Sequence, residues 1–269
     1  MNFAHNSQTQ IRSKPGLRIA ICVAAALLCA SCATGARKNP DEKNPKEIAQ
    51  LYVDLGTQAL LRGEFPQAIE DFRKALVINS ENAIARNHLG LAYYGLGKKE
   101  LAKAEIQRSL AIDAQYSDAY INLGKIAEDA NNYTLAKHYY NKALDNLEYK
   151  TRHRALTNLA ALAVRENNTE EAKRLLYQSL QANPEFCLSH FLLGSVLMRE
   201  NKTDKAAEAF KRSVANTCAA NVEGHYQLGL AYLKSKNFDK ARSQFVYLVE
   251  QFPQTIEAQH AGEQLRTIP

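Results

Sequence analysis

The 269-residue chain lacks tryptophan, has two methionines, and contains no uncharged apolar run as long as a membrane-spanning helix needs, which is about 20 residues. We therefore expect no segment to cross a membrane. Twelve glycines and seven prolines are too few for a collagen-like chain, and five cysteines are too few for a disulfide-dense miniprotein. A composition of 46% hydrophobic and 23% charged residues excludes a disordered chain. The length allows one or two domains.

Acidic residues are absent from positions 1–31, where Arg12, Lys14 and Arg18 are the charged side chains. This segment supplies half of the net charge of +6. The remainder has 31 basic and 28 acidic residues. Such a small excess does not indicate a nucleic-acid partner.

Residues 1–31 have the features of an export signal. An uncharged stretch of about ten residues follows Arg18, and it ends in the small-residue sequence Cys29-Ala-Ser-Cys32. The last three residues resemble a bacterial lipobox, in which the cysteine is acylated and the chain is cut before it, although Cys29 stands where leucine is usual. We expect a lipidated Cys32; the alternative is an ordinary signal peptide that is cut nearby.

Residues 32–47 are polar and contain two prolines, so they are expected to form a flexible tether between a lipid anchor and a folded body. Alanine rather than aspartate follows Cys32, which resembles the default signal for sorting to the outer membrane. The predicted location is therefore the periplasmic face of the outer membrane, with the lipid bilayer contacted through the acyl chains.

The rest of the chain is repetitive. A Leu-Gly pair is followed twelve residues later by a lone alanine, and Gly56, Gly90 and Gly124 are 34 residues apart. Gly194 and Gly229 continue the series, and Ala160 takes the glycine position of the fourth unit. This is the period and consensus of the tetratricopeptide repeat (TPR), a helical hairpin. The predicted fold is an all-α superhelix over residues 48–269, with repeats at about 49–82, 83–116, 117–150, 153–186, 187–220 and 222–255 and a capping helix at 256–267.

Cys187 and Cys218 are residues 1 and 32 of the fifth repeat. Because the two helices of a hairpin are antiparallel, the start of the first helix lies beside the end of the second. An oxidising periplasm favours a disulfide between the two cysteines. Two unpaired buried thiols are the alternative.

At 100° per residue, positions 4, 7, 8 and 11 of each first helix should face the core, and positions 2, 5, 9, 12 and 13 should line a concave groove. These groove positions are apolar at both ends of the array and charged in the middle. We name the apolar ends the first groove (Val53, Leu60, Leu61, Ile84, Asn87, Leu91 and Tyr94) and the second groove (Leu188, Phe191, Met198, Tyr226, Leu230 and Leu233). An apolar groove is expected to receive an amphipathic peptide helix. The alternative is that these side chains pack on each other or on the capping helix, above all in the second groove.

No pattern for catalysis is present. The sequence has no phosphate loop, dinucleotide fingerprint, nucleophile elbow or CxxC, and its histidines do not pair at helical metal-ligand spacing. We expect no catalytic residue, metal, cofactor or small-molecule substrate, and hence no enzyme. His190 and His225 occupy the core-facing position 4, which predicts buried, hydrogen-bonded histidines.

The lipobox at Cys32, the polar tether, the six repeats and the two-residue insertion Thr151-Arg152 together resemble the pilotins of type IV pili. These outer-membrane TPR lipoproteins take part in assembling the secretin pore. The resemblance implies a secretin subunit as the partner and assigns its handling to the apolar positions of the first groove. One departure is that several pilotins carry a cysteine pair in repeats three and four, where Glu128 and Leu162 lie near the corresponding positions. The alternative function is that of a TPR lipoprotein adaptor for peptidoglycan hydrolases or for outer-membrane protein assembly.

Overall fold

The computed structural model describes residues 44–269; the predicted signal peptide, Cys32 and most of the predicted tether lie outside them. Over the described range the chain is all-α and contains no strand, which confirms the predicted fold class. The thirteen α-helices of this range are α1 (Pro45–Leu61), α2 (Phe65–Ile78), α3 (Ala83–Gly95), α4 (Lys99–Ile112), α5 (Ser117–Asp129), α6 (Tyr133–Asp145), α7 (His153–Arg165), α8 (Thr169–Ala182), α9 (Cys187–Arg199), α10 (Thr203–Ser213), α11 (Val222–Lys234), α12 (Phe238–Gln251) and α13 (Ile256–Thr267). Within the same range, none of these helices combines the length and the hydrophobicity of a membrane span.

The helices fall in pairs, one pair within each predicted repeat, and α13 occupies the predicted capping segment. The start of α1 differs from the prediction. This helix begins at Pro45, so residues 45–47, which the sequence analysis placed in the tether, are helical. Proline is favoured at the first position of a helix because its φ is already helical and its missing N–H has no partner to lose. Glu47 in the first turn adds a favourable interaction with the helix dipole.

Each hairpin is held together by a close approach of its two helices. A Cβ atom at Gly56 would lie 2.7 Å from the ring of Phe72, and a Cβ at Gly194 would lie 2.7 Å from the ring of Phe210. Phe72 and Phe210 are fully buried. The glycine of the Leu-Gly pair is therefore needed for space, because the aromatic ring of the second helix occupies the volume of a side chain.

The turns inside the hairpins require a left-handed backbone. Gly63 and Gly97 have φ values of 74° and 72°, and Asn131, Asn167 and Asn201 take the same place in the next three repeats with φ between 58° and 60°. Glycine and asparagine adopt this conformation at lower cost than other residues. The sixth repeat uses a lysine, Lys236, at φ 59°.

The structure joins Cys187 and Cys218 by a disulfide, with their Cα atoms 5.7 Å apart. It connects the first residue of α9 to a 3₁₀ turn (Asn216–Cys218) that follows α10. The cysteines are 31 residues apart in sequence, and a loop of that length is worth about 3–4 kcal/mol in the chain-entropy description. The crosslink therefore fixes the fifth hairpin at the edge where the chain enters the sixth.

Candidate functional site

The first groove is an open apolar surface on α1 and α3, the first helices of repeats one and two. Leu61 is 83% exposed and Ile84 is 49% exposed, while Leu60, Leu91 and Tyr94 are half-buried. A large apolar side chain that is mostly exposed loses favourable burial unless a partner covers it. Leu61 and Ile84 are therefore the exposed members of the predicted site, while Leu60 and Tyr94 also pack against the core of the first repeats.

Two residues that the sequence analysis assigned to the first groove lie in the core instead. Val53 is 3% exposed and Asn87 is 1% exposed. Both occupy position 5 of their repeats, and Ile121 and Thr157 at the same position are also buried. Position 5 lies at the contact between the first helices of successive repeats, as the hydrogen bond from Asn122 Nδ2 to Asn87 Oδ1 (2.9 Å) illustrates. The assignment of position 5 to the groove is therefore wrong for repeats one to four.

A polar bridge connects α1 to α3 beside the groove. The Thr57 hydroxyl donates to the Val53 carbonyl at 2.7 Å and lies 3.1 Å from Nδ1 of His88. Because a hydroxyl has one proton to donate, Thr57 accepts from Nδ1–H of a neutral His88. Burial lowers the pKa of His88, and the charge of Asp118 opposes this shift only partly. His88 stands at position 6, which helical periodicity does not assign to the groove.

The charged middle of the array is paired within itself. Asp118 accepts hydrogen bonds from Arg154 Nη1 at 2.7 Å and from the Tyr149 hydroxyl at 2.6 Å. The Tyr94 hydroxyl donates to Asp129, and this bond is the largest cause of the lowered pKa of that carboxyl. Burial, followed by the interaction with Asp129, raises the pKa of Tyr94 to about 12. Tyr94 thus presents its ring to the first groove while its hydroxyl is held by repeat three.

The second groove is covered to a large extent. Tyr226, Leu230 and Leu233 pack against a core cluster that includes residues of α12 and the C-terminal segment. The ring centroid of Tyr226 lies 5.9 Å from that of His260 on α13. This packing favours the alternative in which the capping helix covers repeat six.

In repeat five, Phe191 and Met198 pack against the central core, and the ring centroids of Phe191 and Phe210 are 5.9 Å apart. Of the six residues predicted for the second groove, Leu188 is exposed, at 44%, and the other five are half-buried. Two of the seven predicted first-groove residues are thus exposed, compared with one of the six in the second groove.

The two predicted core histidines are confirmed. His190 and His225 are each 5% exposed, and their Nε2 atoms lie 2.7 Å from the Pro184 carbonyl oxygen and 3.0 Å from that of Ala219. Over residues 44–269 no group of three or more His, Cys, Asp or Glu side chains is arranged to hold a metal ion.

Family models agree with the repeat assignment. A model described as TPR repeat matches residues 59–97. Models described as Tetratricopeptide repeat match residues 83–116 and 117–146, and residues 157–221 and 191–256. The chain is a tetratricopeptide repeat protein. Members of this group are generally scaffolds that bind protein partners.

Among curated proteins, the Type IV pilus assembly protein PilF of Pseudomonas aeruginosa is 27% identical over 169 residues, which are 62% of this chain and 67% of that protein. The Protein O-mannosyl-transferase Tmtc3 of Drosophila melanogaster is 27% identical over 150 residues. These make up 55% of this chain but only 16% of the transferase, so the likeness covers a small part of that enzyme.

Solved structures of pilus proteins have the same fold. The structure from a functional characterisation of Pseudomonas aeruginosa PilF has a TM-score of 0.71 at 22% identity and covers 82% of this chain and 100% of that one. PilW, described as a widely conserved type IV pilus biogenesis factor, has a TM-score of 0.68 at 20% identity, with 79% and 97% covered. These structures show the shared fold, and the sequence match to PilF relates this TPR chain to type IV pilus assembly proteins.

Proposed function

We propose that this protein is a non-catalytic, lipid-anchored adaptor of type IV pilus biogenesis that binds the secretin subunit through the first groove and promotes assembly of the secretin in the outer membrane. The relationship to PilF supports a role in the pilus system. The observation that supports binding at this place is the open apolar surface of Leu60, Leu61, Ile84, Leu91 and Tyr94.

Large exposed apolar side chains are most numerous in repeats one and two. Repeats three and four contribute Leu147 and Tyr177, and repeats five and six contribute Leu188, Val246, Tyr247 and Val249. Leu61 and Ile84 are the first-groove residues among those that repeats one and two contribute, which are Leu51, Leu55, Leu61, Val77, Ile78, Ile84, Leu96, Leu101 and Ile112. Large exposed apolar patches are rare on proteins without a partner, and where they occur they commonly mark an interaction site.

The geometry and charge of the first groove favour binding of an amphipathic helix. Its walls are two helices with apolar side chains, so the apolar face of a partner helix can be buried against them. The adjoining carboxylates Asp118 and Asp129 already accept hydrogen bonds from Arg154, Tyr149 and Tyr94. A charged partner residue would have to displace these bonds, and we therefore assign the main contact to the apolar walls.

The membrane anchor in this proposal depends on sequence features. The small-residue sequence before Cys32 and the alanine after it favour acylation and retention at the outer membrane. Exchange of Cys32 for alanine is expected to release the protein from the membrane fraction. Retention of the Cys32→Ala protein in that fraction would contradict the anchor and leave the groove proposal intact.

The groove is tested by the double variant Leu61→Glu/Ile84→Glu. Both side chains are exposed, so the helical circular dichroism and the melting temperature should stay unchanged while binding to purified secretin falls at least tenfold. Leu147→Glu is the matched control, because Leu147 is 80% exposed and lies in repeat three. In cells, the double variant should lack SDS-resistant secretin multimers and the control should retain them.

Normal secretin binding by the double variant would overturn the groove assignment. The wild type could instead capture a peptidoglycan hydrolase or an outer-membrane assembly component that the double variant does not bind. That result would keep the assignment of the binding site to the first groove but change the identity of the partner. This outcome would favour the alternative adaptor function.

A further inference from the structure

Helix α1 has a second apolar face, formed by Leu51 and Leu55, which are 42% and 41% exposed. They stand at positions 3 and 7 of the first repeat, one helical turn apart. In every later repeat these two positions are buried: Ala85, Leu89, Ala119, Leu123, Ala155, Leu159, Ser189, Leu193, Gly224 and Leu228. There they pack beneath the preceding hairpin. No hairpin precedes α1 within residues 44–269, so this leucine face is uncovered in the described part of the chain.

The leucine face is not shaped to receive another hairpin of the array. Position 3 is alanine, serine or glycine in repeats two to six, because the preceding hairpin comes close at that point. Leu51 puts a large side chain there, and a second copy stacked head to tail at the usual spacing would collide with it. Two partly exposed leucines are also far too small for a stable dimer, whose interface buries more than about 1,000 Å².

The segment before α1 offers no large apolar side chain. Residues 33–43 contain no leucine, isoleucine, valine, phenylalanine or tyrosine. The number of residues in this segment limits how far α1 can lie from the lipid anchor. If Cys32 carries the lipid anchor, the thirteen steps from Cys32 to Pro45 span at most about 45 Å at full extension. Among the helices of the array, α1 is the one nearest to the anchor along the chain.

We infer that the leucine face of α1 rests on the lipid bilayer to which Cys32 is anchored; the inference rests on the anchor in the proposed function. A bilayer surface adapts to a protruding leucine, whereas a packed helix does not. The contact is weak by itself, as two half-exposed leucines bury little area, but the anchor supplies a high effective concentration of lipid.

The contact has a consequence for the groove. At 100° per residue, the direction midway between Leu51 and Leu55 is about 160° away from Leu60 around the axis of α1. Leu61 is about 100° away by the same count, so the leucine face and the first groove lie on different sides of this helix. With the leucine face on the bilayer, the groove opens away from the lipid and toward a partner in the periplasm.

The experiment uses the full lipidated protein, reconstituted in vesicles of phosphatidylethanolamine and phosphatidylglycerol. In Leu55→Cys the new thiol is labelled with the environment-sensitive dye NBD while Cys187 and Cys218 remain in their disulfide. Gln50→Cys is the matched control, since Gln50 is exposed on the same helix and points to the groove side.

The dye at position 55 should emit at shorter wavelength, with at least a twofold gain in intensity, and should be quenched by brominated lipid. The dye at position 50 should show neither effect. Vesicle flotation tests the anchor separately. Protein that floats while the dye at 55 stays solvent-exposed overturns the inference and keeps the anchor. Protein that does not float overturns both. A blue shift at position 55 that occurs only after secretin is added would show that secretin, and not lipid, covers the leucine face. This result would also overturn the inference.

Discussion

The first and second grooves are built from equivalent positions of the same repeat, yet they differ in what covers them. In repeats one and two, Leu61 and Ile84 are exposed, because no element of the described chain covers them. In repeat six, Tyr226 lies against His260 of α13, and the neighbouring leucines join the cluster beneath that helix. The ends of a repeat array thus decide which apolar groove positions are available to a partner.

The comparison also separates two uses of one residue type. Leu230 and Leu233 in the second groove pack against the cluster beneath the capping helix, whereas Leu61 in the first groove is exposed. Exposed apolar surface gives no folding energy, and the proposed function assigns that of Leu61 and Ile84 to partner binding. Each of the following changes is expected to alter one side of the comparison.

The largest effect is expected from removing residues 256–269, which uncovers the second groove. Leu265 packs on the cluster and Ile268 is 8% exposed, and burial of two such side chains is worth about 3–5 kcal/mol. Denaturant unfolding should show this loss, and binding of the dye ANS should increase. Unchanged stability of the truncated protein would contradict the covering role of α13.

The disulfide is expected to have the next largest effect. The double variant Cys187→Ser/Cys218→Ser should lower the free energy of unfolding by about 3 kcal/mol, because the loop that the disulfide closes is free in the unfolded chain of the variant. Equilibrium unfolding in urea measures the difference. Since the crosslink is in repeat five, secretin binding through the first groove should be unaffected under native conditions; a variant that folds but no longer binds would argue against the first groove.

Val53→Ala and Leu61→Ala distinguish the core from the groove within repeat one. Val53 is 3% exposed, so its truncation should cost roughly 1–3 kcal/mol of stability and leave the affinity of the folded protein unchanged. Leu61 is 83% exposed, so its truncation should change stability by less than about 0.5 kcal/mol and weaken binding. Urea unfolding and titration calorimetry test the pair. Loss of binding by Val53→Ala together with normal binding by Leu61→Ala would show that Val53, and not Leu61, contacts the partner.

The smallest effect is a pH dependence with one histidine on each side of the comparison. Burial is the main cause of the lowered pKa of His88, near the first groove, and of His225, near the second. Each folded-state pKa lies below the unfolded value of about 6.5, so the unfolded chain binds more protons as the pH falls through this region. Stability should therefore be full above pH 6.5 and decrease as the pH falls toward the folded-state pKa values.

Urea midpoints at pH 7.5 and 5.5 measure this loss. His88→Gln and His225→Gln should each reduce the difference between the two pH values. A midpoint that rises on acidification, or a pH dependence that neither exchange alters, would show that these histidines are not the responsible groups.

The local rules of the repeat could be predicted from sequence, and the contacts between repeats only in part. The spacing of Gly56, Gly90 and Gly124 predicted the hairpins, and position 4 predicted the buried His190 and His225. The burial of Val53 and Asn87 could not be obtained in this way. It depends on how closely the first helices of successive repeats approach, and helical periodicity describes one helix at a time. For the same reason the sequence indicates a capping helix at 256–267 but not which side chains it covers.

The proposed function depends most on the claim that the partner binds the first groove and not the second. A photoreactive p-benzoyl-phenylalanine placed at Leu61 in one strain and at Leu230 in another tests this claim in cells that assemble pili. The expected result is a crosslink to secretin from position 61 and none from position 230. A secretin crosslink from position 230 together with none from position 61 would contradict the account.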